Sequence, residues 1–233
     1  MSESTEENLP ECTNCNVPDR EKICLTSKGR GPEFCPTIHN REAIEQARRT
    51  LSDPPTLEFA RKASIQEAEC YIHRDRKPFV AHPVKPRLQE IIEFAGRMGF
   101  KRLGIVFCDG LRREAGAVAK VLKKQGFEVV SAVCKVGGVP KEEIGLQDHQ
   151  KIQIGAEETM CNPLAQAELM NRAQTELNIL IGLCVGHDSL FFKHAEAYTT
   201  VLAAKDRVTG HNPLAAIYTL GSYSERFLKT KFQ

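Results

Sequence analysis

Hydrophobic patterning divides the chain into three stretches. Residues 1–36 have neither a helical nor a strand period and hold few large apolar side chains. From 37 to 99 the apolar positions recur at helical spacing. Ile44, Ala47 and Leu51 share one stripe, which predicts a helix over Ile38–Leu51 stopped by Asp53-Pro54-Pro55. Leu57, Ala60, Ser64, Ala68 and Ile72 predict a second helix running to about His73. Arg74–Pro86 carries three prolines and reads as a connector, and Leu88, Ile91, Ile92, Ala95 and Met98 predict a third helix ending near Gly99.

Beyond residue 100 the pattern changes to short apolar runs separated by amphipathic stretches. Leu103–Cys108, Phe127–Cys134, Asn178–Cys184 and Tyr198–Ala204 read as strands. Ala115, Val118, Ala119 and Leu122 mark a helix that stops near Gly126. Asn162-Pro163 and Asn212-Pro213 each open a helix with a cap residue followed by proline, Asp188 is placed to cap another, and a last helix is expected over Tyr223–Lys229. Lys135–Cys161 is a long loop with a short helix near Glu142.

Short apolar strands alternating with helices predict an α/β fold with a parallel sheet and right-handed crossovers. The expected organisation is a cysteine-rich metal-binding segment over 1–36, a helical connector over 37–99, and a parallel α/β domain over 100–233. The last is a four-stranded, Rossmann-like three-layer sheet of order 2-1-3-4, whose crevice lies between the first and third strands, where the order reverses.

At 233 residues, with 41% apolar and 27% charged side chains, the chain can bury a core without disulfides. A net charge of +2, with basic residues scattered among acids, offers no nucleic-acid stripe and no polybasic membrane arm. Met1–Asn8 is polar and acidic and has no signal-like apolar core, and no apolar run approaches the roughly 18 residues of a membrane span. These features point to a cytoplasmic protein. Its nine cysteines would then stay reduced, which favours metal binding or catalysis over disulfides.

The N-terminal cysteines Cys12, Cys15, Cys24 and Cys35 are spaced Cys-x2-Cys-x8-Cys-x10-Cys. A two-residue gap lets two thiolates grip one ion from a tight turn. Cys35-Pro36 matches the cysteine-proline ending of some ferredoxin motifs, and His39 could replace Cys24 as a ligand. Soft thiolates select zinc or an iron–sulfur cluster over magnesium or calcium, and spacing does not choose between the two. The bland alternative is four free or redox-linked thiols.

Cys108, Cys134 and Cys184 each fall at the end of a predicted strand, and Cys161 lies just before a helix. Parallel strands point their C-termini at one edge, so these four sulfurs are expected to converge around an iron–sulfur cluster or a single ion, with helix N-termini favouring the resulting negative charge. Buried cysteine is also an ordinary core filler, which is the competing explanation. Asp109 follows Cys108, His187 and Asp188 follow Cys184, and Lys205-Asp206-Arg207 precedes His211 and Asn212. His187, His211, Asp188 and Asp109 are the candidates for proton handling or outer support of a metal. Gly182-Leu183-Cys184-Val185-Gly186 also fits a nucleophile elbow with cysteine as nucleophile, His211 or His187 as base and Asp206 as orienter. That reading leaves Cys108, Cys134 and Cys161 without a role. No dinucleotide-binding or Walker-type glycine loop is present. Cys70-x2-His73 reads as structural or as a spare ligand, and Val136-Gly137-Gly138-Val139 as a flexible loop in preference to a segment that lines the crevice.

GLCVGHDSLF (Gly182–Phe191), KDRVTGHNP (Lys205–Pro213), Cys161-Asn162-Pro163 and the N-terminal CTNC together resemble a family of uncharacterised prokaryotic cysteine-rich proteins, described as metal-binding domains of unknown function. The resemblance runs along nearly the whole chain. It implies metal binding through cysteines and carries no reaction, substrate or catalytic residue. The expectation is therefore a cytosolic metalloprotein, iron–sulfur before zinc, that acts on a small molecule or exchanges electrons with a partner. The alternatives are a non-catalytic metal or redox sensor or carrier with structural zinc, and a hydrolase or amidotransferase built on Cys184.

Overall fold

The computed structural model describes residues 9–232. Residues 1–8, the polar and acidic start of the sequence, lie outside them. The chain forms two compact units that divide between Ile65 and Gln66.

The first unit is made of turns and helices. Turns over Cys12–Asn14 and Asp19–Glu21 lead to α1 (Pro36–His39), α2 (Arg41–Leu51) and the start of α3 (Pro54–Glu69). The single helix expected over Ile38–Leu51 is broken at Asn40, whose backbone (φ −107°, ψ 45°) leaves the helical region. Asp53 accepts hydrogen bonds from the Thr56 backbone and hydroxyl, so α3 starts at Pro54 with a cap rather than at Leu57. The only buried apolar side chains among this unit's described residues are Val17 and Cys35, while Ile44 and Leu51 remain 39% and 42% exposed. So little burial offsets only a small part of the chain entropy over this length.

α3 ends four residues before His73 because the chain there closes into a clasp: Ile72 N–H bonds to His82 C=O, and Val84 N–H to Cys70 C=O. α4 (Arg87–Met98) follows and ends at Gly99, whose left-handed backbone (φ 80°) terminates the helix.

The remaining elements alternate: β1 (Arg102–Phe107), α5 (Arg112–Lys124), β2 (Glu128–Val133), α6 (Pro163–Arg172), β3 (Leu177–Ile181), α7 (His187–His194), β4 (Tyr198–Ala203), α8 (Leu214–Tyr218) and α9 (Arg226–Lys229). The strands form one all-parallel sheet of order β2-β1-β3-β4, as the pattern of apolar runs predicts. β1 and β3 are central and buried almost throughout, whereas the edge strands β2 and β4 are only partly covered.

Side chains alternate between two faces. Leu103, Ile105 and Phe107 join Ile179 and Ile181 against Ile91 and Ala95 of α4 and Ala115, Val118 and Leu122 of α5. Val106, Ala132 and Leu180 pack on the other face with Ala167 and Met170 of α6 and Phe191 of α7. No helix among the described residues is long and apolar enough to cross a membrane.

Several boundaries differ from the sequence expectation. β3 stops at Ile181 rather than Cys184, and the last helix covers only Arg226–Lys229. Asp188 lies inside the first turn of α7, after Gly186, and accepts from Ser189 N–H instead of capping the helix from outside.

Candidate metal centre

Parallel topology brings the four predicted crevice cysteines to the C-terminal edge of the sheet. Cys108 directly follows β1, and its N–H bonds to Ile181 C=O of β3 (3.1 Å). Cys134 directly follows β2 and bonds back to Phe107 C=O of β1 (2.8 Å). The segment carrying Cys161 is tied to Cys134 by Asn162 N–H to Cys134 C=O (2.7 Å), and the Asn162 side chain then caps α6 through Ala165 N–H (2.9 Å). Cys184 lies beyond β3 on a turn begun by Gly182 at φ 65°, where a side chain would run into Leu111 (2.2 Å). The Cys184 carbonyl receives the N–H groups of His187 and Asp188 (3.0 and 3.1 Å), which starts α7.

The sulfurs interact. Cys134 Sγ and Cys161 Sγ lie 3.8 Å apart, and Asp109 N–H points at Cys134 Sγ (3.4 Å). Cys108 hydrogen-bonds to Cys134, and Cys184 and Cys108 both lie within electrostatic reach of Cys161. Arg207 donates to Cys184 Sγ at 3.0 Å, and Lys205 is hydrogen-bonded to Cys108. Cys134 is buried at 2% exposure, and the other three are half-buried.

Three of the thiols are shifted by this arrangement. Cys108 is pushed up to about 12 by the hydrogen bond it gives Cys134 and by burial, against the pull of Gly110 N–H and Lys205. Cys134 receives that bond, which lowers it, but its own bond to Cys161 and its burial leave it raised. Cys161 comes down to about 7 because the Cys134 hydrogen bond favours its thiolate, aided by the Lys135 charge.

Among the described residues, no three His, Cys, Asp or Glu side chains surround a single point at ligand distance. The sulfurs form a hydrogen-bonded row rather than a closed cage. The donor chemistry nevertheless suits a soft metal. Tetrahedral bonds of about 2.3 Å set ligand sulfurs about 3.8 Å apart, and Cys134 and Cys161 already have that separation.

The polar candidates are placed less directly. The Asp109 carboxylate pairs with Arg112, so its backbone N–H rather than its side chain serves the sulfurs. Asp188 is engaged in the first turn of α7, and His187 opens that helix beside Cys184. His211 has a left-handed backbone (φ 68°), and its Nδ1 accepts from Asp206 N–H (3.2 Å). The Asp206 carboxylate is occupied by Val208 and Thr209 N–H groups (2.9 Å each). Asp206 thus orients His211 through its backbone and leaves the ring proton on Nε2, the reverse of a triad histidine.

The N-terminal cysteines are distributed over tight turns. Cys15 N–H bonds to Cys12 C=O (3.2 Å), which closes the two-residue gap. Cys15 and Cys24 both act electrostatically on the Lys22 ammonium, which is paired with Asp19. Cys35 is buried with its sulfur against Gly31, where a Cβ would lie 2.6 Å away, and its carbonyl receives Ile38 and His39 N–H (3.0 Å each). Cys70 is buried, donates to Gln66 C=O (3.1 Å) and is raised chiefly by burial, consistent with a structural thiol.

The cations Lys135, Lys205 and Arg207 and the buried Gln166 carried no role in the sequence reading. Two of them stand in the KDRV stretch, and their charge beside four cysteines was the available signal. Gln166 gave none, because a glutamine in a helix ordinarily faces water.

The family described as a protein of unknown function (DUF1847) matches residues 35–202, which include Cys108, Cys134, Cys161 and Cys184. Uncharacterized protein MJ0455 of Methanocaldococcus jannaschii is 40% identical over 208 residues, spanning 89% of this chain and 93% of its own. Among solved structures, Dph2 from Pyrococcus horikoshii is similar at 21% identity and a TM-score of 0.34, covering 64% of this chain. The same protein with a 4Fe-4S cluster aligns at 21% identity and a TM-score of 0.33, covering 63%. The chain spans about a third of Dph2's length, 34% and 32% in the two structures. With a family match over most of its length and a relative of 40% identity along nearly all of it, the chain belongs to the DUF1847 family of proteins of unknown function.

Proposed function

We propose that this is a cytosolic metal-binding protein whose Cys108, Cys134, Cys161 and Cys184 hold an iron–sulfur cluster at the C-terminal edge of the sheet. The observation that carries this reading is the convergence of four sulfurs from four separate segments, attended by the Lys135, Lys205 and Arg207 cations. Four thiolates around a dicationic core leave two negative charges. In this crevice Arg207 donates to the Cys184 sulfur and Lys205 favours the Cys108 thiolate, and neither cation has a carboxylate partner in the ion pairs of the described residues. A core that merely filled space with thiols would have no use for them. When bound, the cluster would supply electron transfer, or Lewis acidity at an iron whose thiolate a small ligand displaces. His187 beside Cys184, and His211 through Nε2, would handle protons at that ligand, with Asp109 and Asp188 holding the surrounding turns.

Cys12, Cys15, Cys24 and Cys35 form a second site for zinc or a cluster, which supplies the cohesion that the first unit lacks in buried apolar surface. The Arg207–Cys184 contact favours a second reading, in which Cys184, with a guanidinium against its sulfur, is a nucleophile. The reversed His211 geometry weighs against it.

Anaerobic purification with metal and acid-labile sulfide analysis separates these readings. The first expects brown protein with iron and sulfide in equal amounts, and Cys184→Ser should remove the crevice metal while leaving the N-terminal one. Colourless protein with zinc alone would support a sensor or carrier. Metal content unchanged by Cys184→Ser would end the crevice assignment. Selective alkylation of Cys184, with loss of an amidase activity, would favour the nucleophile.

A further inference from the structure

We propose that Gln166 is the positioning residue that holds together the segments carrying Cys108, Cys134 and Cys161, an inference that rests on reading the crevice as a thiolate centre. Gln166 belongs to α6 and is fully buried, at 0% exposure, on a helix face that otherwise presents Ala167 and Met170 to the core. Its Nε2 donates to Ala132 C=O of β2 (2.8 Å) and reaches Phe107 C=O of β1 (3.4 Å). Phe107 immediately precedes Cys108, and its carbonyl also takes the Cys134 N–H at 2.8 Å. The Gln166 N–H bonds to Asn162 C=O (3.1 Å), and Asn162 N–H bonds to Cys134 C=O (2.7 Å). One side-chain amide therefore clamps the ends of β1 and β2 to the first turn of α6, and a cysteine lies within two residues of each clamped end.

The other end of the amide shows that packing does not account for this residue. Gln166 Oε1 is buried without a hydrogen-bond partner among the described residues. An unpaired buried carbonyl is a standing penalty that an apolar side chain of the same volume would remove. The gain is in geometry: β2 is an edge strand, paired on one side only, and its end would otherwise be held to β1 by ladder bonds alone.

The test uses reduced, metal-free full-length protein and a trivalent arsenical, aminophenylarsine oxide, which bridges two thiols only when they are close. In the wild type the arsenical should shield Cys134 and Cys161 together from alkylation, read peptide by peptide. Gln166→Met keeps the volume and removes the donor, and should weaken that shielding by about tenfold with no loss of thermal stability. Gln166→Asn, which withdraws the amide by one methylene, should behave alike and serves if the first variant does not fold. Met170→Ala, a buried cavity mutation on the same helix, is the control: it should lower stability and leave the shielding within about twofold of the wild type. Gln166 variants that bind like the wild type, or a Met170→Ala variant that loses as much, would overturn the positioning role, as would a wild type in which the pair is not shielded at all. A wild type that takes the arsenical but holds no metal after anaerobic preparation would refute the metal centre and leave the role of Gln166 standing.

Discussion

In the metal-free protein, negative charge gathers first at Cys161. Its thiolate receives the Cys134 hydrogen bond and sits near Lys135, which holds it down to about 7. Cys108, the donor at the far end of the row, is pushed up to about 12. Lowering a thiol's pKa enlarges its thiolate fraction above that value, so alkylation of Cys161 should rise as pH climbs through about 7. Cys108 should stay inert across the same range, and Cys134→Ala should move the Cys161 midpoint upward by removing its donor. Peptide-resolved iodoacetamide rates between pH 6 and 9 check this, and a wild-type Cys161 midpoint at the ordinary thiol value near pH 8.5 would refute it. That Cys161 precedes a helix is legible in Asn162-Pro163. Its contact with Cys134 is not, because 26 residues separate them and the loop is closed by backbone bonds of Asn162 to Cys134, Met160 to Val139 and Lys141 to Glu158 that no local pattern announces.

At the scale of elements, the sheet depends on a close approach at the centre of β1. Gly104 faces α6 between two buried groups: a Cβ there would lie 2.2 Å from Asn178 Oδ1 and 2.7 Å from Met170 Sδ. Asn178 cannot easily retreat, because its Oδ1 is held by the Thr175 hydroxyl (2.9 Å). Gly104→Ala should therefore destabilise the second unit by about 1–3 kcal/mol. Urea unfolding should show this as a lower midpoint at unchanged slope, and a neutral result would mean that Asn178 and Met170 yield. The strands and their order could be read in advance, because runs such as LGIVF and LNILI are buried on both faces and no helix or loop would need them. Helix boundaries were less legible. The early end of α3 is set by backbone bonds to residues 82–84 and the break at Asn40 by that residue's own non-helical backbone, neither by the apolar stripe.

For the whole molecule, the two units rest on different sources of stability. The second has a continuous core on both faces of its sheet, while the described part of the first buries little beyond Val17 and Cys35. If metal holds the first unit, a chelator should make Arg20, Lys22, Lys28 and Arg30 rapidly accessible to trypsin while the sheet unit keeps its cooperative unfolding. Equal proteolysis with and without chelator would show that the turns hold by themselves. The strands, their parallel order and the presence of cysteines at strand ends were determined by the amino-acid sequence alone, because apolar runs and helix-opening residues act locally. Which sulfurs touch, which cations attend them, that His211 bonds through Nδ1 to the Asp206 backbone, and that Gln166 turns inward were decided only in three dimensions. Each of those contacts joins residues whose separation along the chain says nothing about their direction in space, and direction is what a hydrogen bond or a metal–sulfur bond requires.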